Sequence, residues 1–368
     1  MLYRPLGNTG KEISAISFGG MRFKPEEYKK DHQICANIVL RAHELGINHI
    51  DSAPDYCDNQ SEEIIGRAMK QIRGKRPYVS SKCGLWLATT ADEAYELIKQ
   101  SRDKLCVDTI DFYYMWCVKN MDEYRQMIAP GGIYEGLLRA QQDGLIAHIC
   151  TSAHVDGATM KEIVDDGKSE SILLGYNALN FAYRRDGIKA CQDANLGVIV
   201  MNPLGGGLIP DLGDQFGFLK QDPADSIVHA ALRFVVGTPG VSAALPGIAD
   251  IPMLEDCVAA LDRGISMRTE EDFTRLGVNL KSELNTLCTS CTYCDHCPMD
   301  VPIVALVESY NQHLLGRPTQ AVLDKIRNDW GKDPKDAAKC TACGLCEPLC
   351  TQKLPIIERL REIAEWAK

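Results

Sequence analysis

Two short stretches near the C-terminal end concentrate the residues best suited to chemistry. CTSCTYCDHCP carries Cys288, Cys291, Cys294 and Cys297, and CTACGLCEPLC carries Cys340, Cys343, Cys346 and Cys350. Each opens with three cysteines at i, i+3 and i+6. That spacing wraps a compact loop around one face of an iron–sulfur cubane, each thiolate taking one iron and the fourth ligand coming from elsewhere. The alternative is structural zinc, which takes four thiolates at tetrahedral spacing, but zinc ribbons use CxxC pairs rather than CxxCxxC triplets. The chain has 16 cysteines, and the other eight (Cys35, Cys57, Cys83, Cys106, Cys117, Cys150, Cys191, Cys257) are scattered through the first 260 residues. Scattered thiols in a reducing compartment behave as small buried hydrophobes, not as a disulfide framework.

Such ligands act only where a scaffold holds them. The chain has 368 residues, 45% apolar and 24% charged, a globular composition long enough for a large domain and a smaller one. Its net charge of −10 repels phosphate backbones, and with no local basic patch it excludes a nucleic-acid partner. No apolar run approaches the roughly 18 residues that span a bilayer. The opening MLYRPLGNTGKEISAISFGG lacks the basic-then-apolar order of a signal peptide. A cytoplasmic protein without a membrane partner is expected.

Along residues 1–265, β-rich segments alternate with amphipathic ones. Strands are predicted at 13–19, 48–52, 78–82, 109–116, 147–152, 172–177, 197–202 and 241–246. Helices are predicted at 31–44, 61–71, 91–105, 134–142, 158–166, 187–193, 223–236 and 252–261. Eight β/α pairs in this length predict an α/β fold, the (β/α)8 TIM barrel. A doubly wound sheet would carry G-x-G-x-x-G after its first strand, which SFGGM does not fit. Residues 2–16, with Asn8-Thr9-Gly10 at the turn, predict a β-hairpin before the barrel. The boundary is placed at 268/269. The tail, 269–368, reads as helices at 270–287, 303–315, 319–328 and 355–367 around the cysteine loops. It is too small for a large core of its own, so metal ligation must supply much of its stability.

The stretches YRPLGNTGKEISAISFGGM, INHIDSAPDY followed by SEEIIGRAM, YVSSKCG, IDFYYMW, GLIAHICTSAH and VIVMNPLGGG resemble the aldo-keto reductase family over residues 1–265. The whole chain is similar to that family's bacterial branch with a C-terminal ferredoxin-like domain. In two-cluster ferredoxins the last cysteine of each motif crosses to the other cluster. The resemblance therefore implies two 4Fe-4S clusters, one on Cys288, Cys291, Cys294 and Cys350, the other on Cys340, Cys343, Cys346 and Cys297. The 42 residues between the motifs fit a helical rather than a compact β-rich ferredoxin. Pro298 follows the first motif as in ferredoxins, whereas Thr351 stands where the second would carry proline, which removes a backbone constraint but no ligand.

The family acts through Asp, Tyr, Lys and His at the barrel mouth. The resemblance assigns Asp51, Tyr56 and Lys82 to the first three, with Lys82 expected to lower the phenol pKa and Asp51 to orient Lys82. The fourth position holds Trp116, whose indole can donate one hydrogen bond but cannot carry a proton. His154, in TSAH, is either a substitute donor or an exposed loop histidine without a role. Cys83 and Cys117 follow Lys82 and Trp116 directly, so strand alternation turns them away from the site; Cys57 follows Tyr56 in a loop.

For the dinucleotide, the resemblance implies Ser152 at the nicotinamide carboxamide, with Ala153 where an amide residue is common. Asn202 and the run Leu204, Gly205, Gly206, Gly207 are fit to cradle the diphosphate. Gly247 and Met253 stand where the family has the lysine and arginine that grip a 2′-phosphate, so NAD(H) is slightly favoured over NADP(H). The expected function is an NAD(P)(H)-dependent oxidoreductase of small carbonyls or alcohols, coupled through two 4Fe-4S clusters to a one-electron redox partner. The alternatives are an electron-transfer or interaction protein with a degenerate barrel site, and a reductase of activated C=C bonds.

Overall fold

The structure is a computed structural model and describes residues 1–279 and 286–368. The chain divides into two compact units, Met1–Leu204 with Ile209–Thr274, and Gly205–Leu208 with Arg275–Lys368.

In the first unit, β1 (Tyr3–Pro5) and β2 (Glu12–Ser14) form an antiparallel hairpin. Eight parallel strands follow: β3 (Phe18–Gly19), β4 (His49–Asp51), β5 (Tyr78–Cys83), β6 (Ile110–Val118), β7 (Ile146–Ala153), β8 (Ser171–Gly175), β9 (Gly197–Met201) and β10 (Val241–Leu245). Parallel bridges Ile16↔Ala244 and Gly19↔Gly247 join the first of them to the last and close the barrel. Leu6 and Ile13 of the hairpin pack with Phe112, Tyr114, Leu173 and Ile199 inside it. At Gly7 (φ +53°) any Cβ would lie 2.2 Å from the Gly197 amide, so the hairpin turn seats directly on the start of β9.

Several local expectations shift. The segment predicted as one strand at 13–19 splits, because Ile13 and Ser14 pair with the hairpin and only Phe18–Gly19 enters the barrel ladder. The helix predicted at 187–193 starts earlier, at Phe181. An additional helix, Met121–Ile128, is capped by the Asn120 side chain accepting from the Glu123 amide. The domain boundary moves from 268/269 to beyond Thr274. Helix Glu270–Asn279 begins on the barrel, where Glu270 pairs with Arg185 at 2.9 Å and Phe273 packs on Phe181 at 5.9 Å. Residues 280–285, within the predicted helix 270–287, lie outside the described residues.

The second unit consists of helices Ile303–Ser309, Asn311–Leu314, Thr319–Asn328 and Ile356–Trp366 with a 3-10 turn, Pro334–Lys339. Among its described residues there is no strand. Leu306, Val322, Ile326, Ile356, Leu360 and Ile363 form a core that includes Cys288, Cys294 and Cys350. The Asn311 amide clamps the Cys288 backbone, accepting from its N–H and donating to its carbonyl, both at 2.9 Å. Tyr310 stacks on Trp366 with ring centres 5.4 Å apart. Among the described residues no helix is long and apolar enough to cross a membrane.

Candidate active site and cysteine centres

The C-terminal ends of β4 and β5 bring Asp51 and Lys82 together, with side chains 3% and 1% exposed and Lys82 Nζ 2.6 Å from Asp51 Oδ2. Lys82 also donates to the Ser52 carbonyl at 2.6 Å, and the Ser80 hydroxyl donates to Asp51 Oδ1 at 2.7 Å. Charged groups this deeply buried persist only when paired and hydrogen-bonded in this way. Burial lowers the Lys82 pKa, and Asp51 opposes that shift.

Tyr56 joins them from the loop after β4. Lys82 Nζ lies 4.7 Å from the centre of its ring. Burial first, then Asp51, push the Tyr56 pKa above its ordinary value. Trp116 packs edge-on against Tyr56 at 5.6 Å and against Trp86 at 4.7 Å. Half-exposed Trp86 donates its indole N–H to Asp55 at 2.5 Å. Trp86 and Asp55 escaped the sequence reading; the WLATT stretch offered only a lone aromatic in a loop.

The alternation rule fails for Cys117. The β6–β7 register shifts between Met115 and Val118, and Cys117 has φ +62°. The strict period of two is therefore broken at Cys117, which is buried. Cys83 stays buried, its thiol 3.9 Å from the Gly84 carbonyl. Cys57 opens a run of left-handed residues, Cys57, Asp58 and Asn59 (φ +55°, +53° and +67°), and its thiol approaches the Gly20 and Met21 carbonyls at 3.5 Å. Glu62, missed in the sequence, is buried at the start of helix Ser61–Met69 and accepts from the Ser81 hydroxyl at 2.5 Å.

His154 is not an exposed loop residue. Its amide donates to the Val118 carbonyl at 2.8 Å, its ring lies beside Gly175 and Arg184, and the side chain is buried. Burial and the nearby Arg184 and Lys119 charges bring its pKa down to about 3. A neutral imidazole of that kind can donate a hydrogen bond through its N–H but does not act as an imidazolium acid near pH 7.

Of the dinucleotide positions, Ser152 stands at the end of β7, fully buried, and its hydroxyl has no hydrogen-bond partner among the described residues. An orphaned buried hydroxyl suits an amide-bearing ligand. Asn202 follows β9 with φ +58°, its carbonyl accepting from the Asn177 side chain at 2.9 Å. Leu204 closes a turn by accepting from the Ile209 amide at 3.2 Å. Gly205, Gly206 and Gly207 all take positive φ (+64°, +71°, +98°). A Cβ on Gly206 would fall 2.1 Å from the Thr289 carbonyl oxygen, whereas one on Gly207 would meet open space. The small residue at 206 is therefore required by the cysteine loop. Gly247 likewise makes room for a neighbour, Arg22, whose Cγ lies 2.5 Å from where its Cβ would stand.

In the second unit the cysteines gather into two sets. Cys288, Cys291, Cys294 and Cys350 act electrostatically on one another. Cys346 is coupled to Cys340 and Cys343, and these three line one small cavity with Cys297. Burial raises the pKa of Cys288, Cys294, Cys346 and Cys350. The Cys291 sulfur is 3.3 Å from the Thr351 hydroxyl, and the Leu354 amide donates to Cys350 Sγ at 3.4 Å. Among the described residues, no three His, Cys, Asp or Glu side chains stand close enough together to hold a metal ion.

A sequence profile described as "Aldo/keto reductase family" matches residues 15–276. The chain is 29% identical over 228 residues to the NADH-specific methylglyoxal reductase of Escherichia coli, covering 56% of this chain and 68% of that protein. It is 25% identical over 298 residues to the L-galactose dehydrogenase of Arabidopsis thaliana, covering 73% and 91%. Among solved structures, an aldo-keto reductase from Bacillus halodurans in its holo form superimposes with a TM-score of 0.63 at 20% identity, covering 77% of this chain and 97% of that one.

Proposed function

The chain belongs to the aldo/keto reductase family, and from that premise we propose that it is an NAD(P)(H)-dependent oxidoreductase of small carbonyl or alcohol substrates whose barrel chemistry is coupled to two 4Fe-4S clusters in a ferredoxin-like C-terminal unit. The observation that carries the reading is the buried Asp51–Lys82 pair beneath a buried, neutral Tyr56 at the strand ends. When bound, the dinucleotide would supply or accept the hydride that carries both electrons of the carbonyl–alcohol interconversion, and the clusters would carry single electrons to or from a redox partner.

The chain's own residues provide the rest. Tyr56, protonated throughout the physiological range, gives its proton to the carbonyl oxygen as that oxygen becomes an alkoxide. The Lys82 ammonium over its ring offsets the charge left on the phenolate, and Asp51 with the Ser52 carbonyl keeps Lys82 from moving. Trp116 packs against both Tyr56 and Trp86 and would hold the phenol in place. Ser152 would orient the nicotinamide carboxamide.

NAD(H) is favoured because neither Gly247 nor Met253 can grip a 2′-phosphate, and the Escherichia coli relative is named as NADH-specific. The two all-cysteine sets fit iron–sulfur ligation, because soft thiolates alone suit that chemistry.

Assay of the anaerobically purified protein with NADH and NADPH across a carbonyl panel tests the reading. Turnover that falls by about a hundredfold or more in Tyr56→Phe is expected. No turnover together with no nicotinamide binding by calorimetry would overturn it.

A further inference from the structure

We propose that His49 is a positioning residue of the barrel site: held as the tautomer with its proton on Nε2, it steers the Ser80 hydroxyl onto Asp51 and so fixes the Lys82 ammonium beside Tyr56. The inference deepens the reductase reading above and rests on it.

The placement begins with strand register. His49 and Asp51 alternate along β4, as Ser80 and Lys82 do along β5, and parallel pairing sets Asp51 against Ser80. All four side chains therefore share one face of the sheet, and all are buried. The His49 ring meets Phe112 edge-on with centres 5.6 Å apart, and Phe112 belongs to the packing inside the barrel. From there a line of polar contacts crosses three neighbouring segments. The Ser17 hydroxyl, just before β3, is 3.0 Å from His49 Nδ1, and the Ser80 hydroxyl is 3.3 Å from His49 Nε2. Ser80 reaches Asp51 Oδ1 at 2.7 Å, and the other carboxylate oxygen meets Lys82 Nζ at 2.6 Å.

Counting protons gives that line a direction. A carboxylate paired with Lys82 offers only acceptors, so the single Ser80 proton goes to Asp51. Ser80 Oγ can then only accept from His49, and Nε2 must carry the ring proton. Burial brings the His49 pKa down to about 4, with Asp51 opposing and Lys82 adding to the shift. The ring is neutral near pH 7 and Nδ1 is a bare acceptor. Ser17 donates to it, since 3.0 Å is a better bond than the 3.5 Å approach of the same hydroxyl to the Ser14 carbonyl. Every donor from Ser17 to Ser80 thus points toward Asp51. Bonds aligned head to tail strengthen one another, and with both nitrogens engaged the imidazole cannot turn. Without the ring, Ser80 Oγ loses its donor in a buried site and is free to rotate off Asp51, which slackens the carboxylate that holds Lys82.

Nitrogen-15 spectra of the imidazoles, assigned with His49→Gln, and steady-state kinetics of the intact protein with NADH and methylglyoxal, glyceraldehyde or glyoxylate test the role. The spectra should show His49 protonated on Nε2 and bare on Nδ1. Ser80→Ala and His49→Leu should each lower kcat by about 10- to 100-fold, as a small misplacement of reacting groups does, with KM for NADH unchanged. The double variant should be no slower than the slower single one, because both act through one hydroxyl. His49→Gln, whose side-chain amide can still donate to Ser80, should recover most of the activity. A proton on Nδ1 or on both nitrogens overturns the inference, as does an unchanged kcat in Ser80→Ala, losses that multiply in the double variant, or a His49→Gln no faster than His49→Leu. Ser80→Ala removes a single hydroxyl, so it decides the matter even if His49→Leu does not fold. If the wild type reduces none of the three carbonyls, the reductase reading fails and the positioning role falls with it, whereas the wrong tautomer in an active wild type overturns the role of His49 alone.

Discussion

Replacing Asp51 by asparagine should isolate what the buried pair contributes. The substitution leaves the Lys82 ammonium, whose side chain is 1% exposed, without a carboxylate, its partners being neutral groups such as the Ser52 carbonyl and the Tyr56 and Trp116 rings. Breaking one side of a buried ion pair costs about 3–5 kcal/mol, because the remaining charge is desolvated without compensation. Urea denaturation of Asp51→Asn at pH 7 should show a loss of that size. The double variant Asp51→Asn/Lys82→Met should recover most of it, since an apolar side chain of similar length fills the site without charge, yet remain inactive. The pH dependence carries a second signature. Burial already lowers the Lys82 pKa, and removing Asp51 removes the main opposing influence. A folded-state pKa depressed further below the unfolded value means that the unfolded chain binds more protons between the two. The stability of Asp51→Asn must then rise relative to wild type as pH increases toward about 10.4. Taking the difference between the two proteins cancels the titrations they share. A cost below about 1 kcal/mol, or a relative stability that falls with pH in that window, would refute the picture of an uncompensated buried ammonium.

The raised Tyr56 pKa means that no loss of reductive turnover from phenol ionisation should occur up to about pH 10, and that its contribution to stability declines only above that pH; an activity limb near pH 8 that Tyr56→Phe abolishes would restore the lysine-acidified phenol. For His154, whose pKa is about 3 when folded, stability should fall as pH drops below about 6.5, and His154→Gln should flatten that slope without removing any limb of the activity profile between pH 5 and 8. Thr351→Val deletes the hydroxyl 3.3 Å from Cys291. A hydrogen bond to sulfur worth about 0.5–1.5 kcal/mol corresponds, at 59 mV per tenfold for one electron, to a potential about 20–65 mV more negative for the cluster on Cys291. Spectroscopic redox titration should show that shift in one cluster only, and equal shifts in both would contradict the assignment of Cys291 and Cys350 to the same set.

The barrel was legible because eight β-rich segments and their amphipathic partners follow the two periodicities that side-chain geometry imposes. Residues 13–19 read as one strand because hydrophobic pattern alone does not say where a chain changes partners, and Ser14 and Phe18 pair with different neighbours. The short helix Met121–Ile128 carries its cap in Asn120 and Glu123, a signal masked by the length of the preceding strand. At the site, residue types were readable and their mutual placement was not. Spacing cannot say how close an ammonium comes to a tyrosine ring, and alternation cannot foresee the register shift at Cys117. His154 lies beside Gly175 and near Arg184, 21 and 30 residues away on other elements. Gly206 was readable as a place of close approach and Gly247 only as a missing lysine, and the atoms that approach them, Thr289 O and the Arg22 stem, come from distant sequence.

The most direct test is an anaerobic titration of the intact protein with NADH, following visible absorbance and paramagnetic resonance after iron and sulfide have been quantified. About eight irons and eight sulfides per chain are expected, with a brown absorbance that bleaches with dithionite and also with NADH alone. Colourless protein carrying zinc, or brown protein bleached by dithionite but untouched by NADH, would contradict a barrel coupled to two clusters.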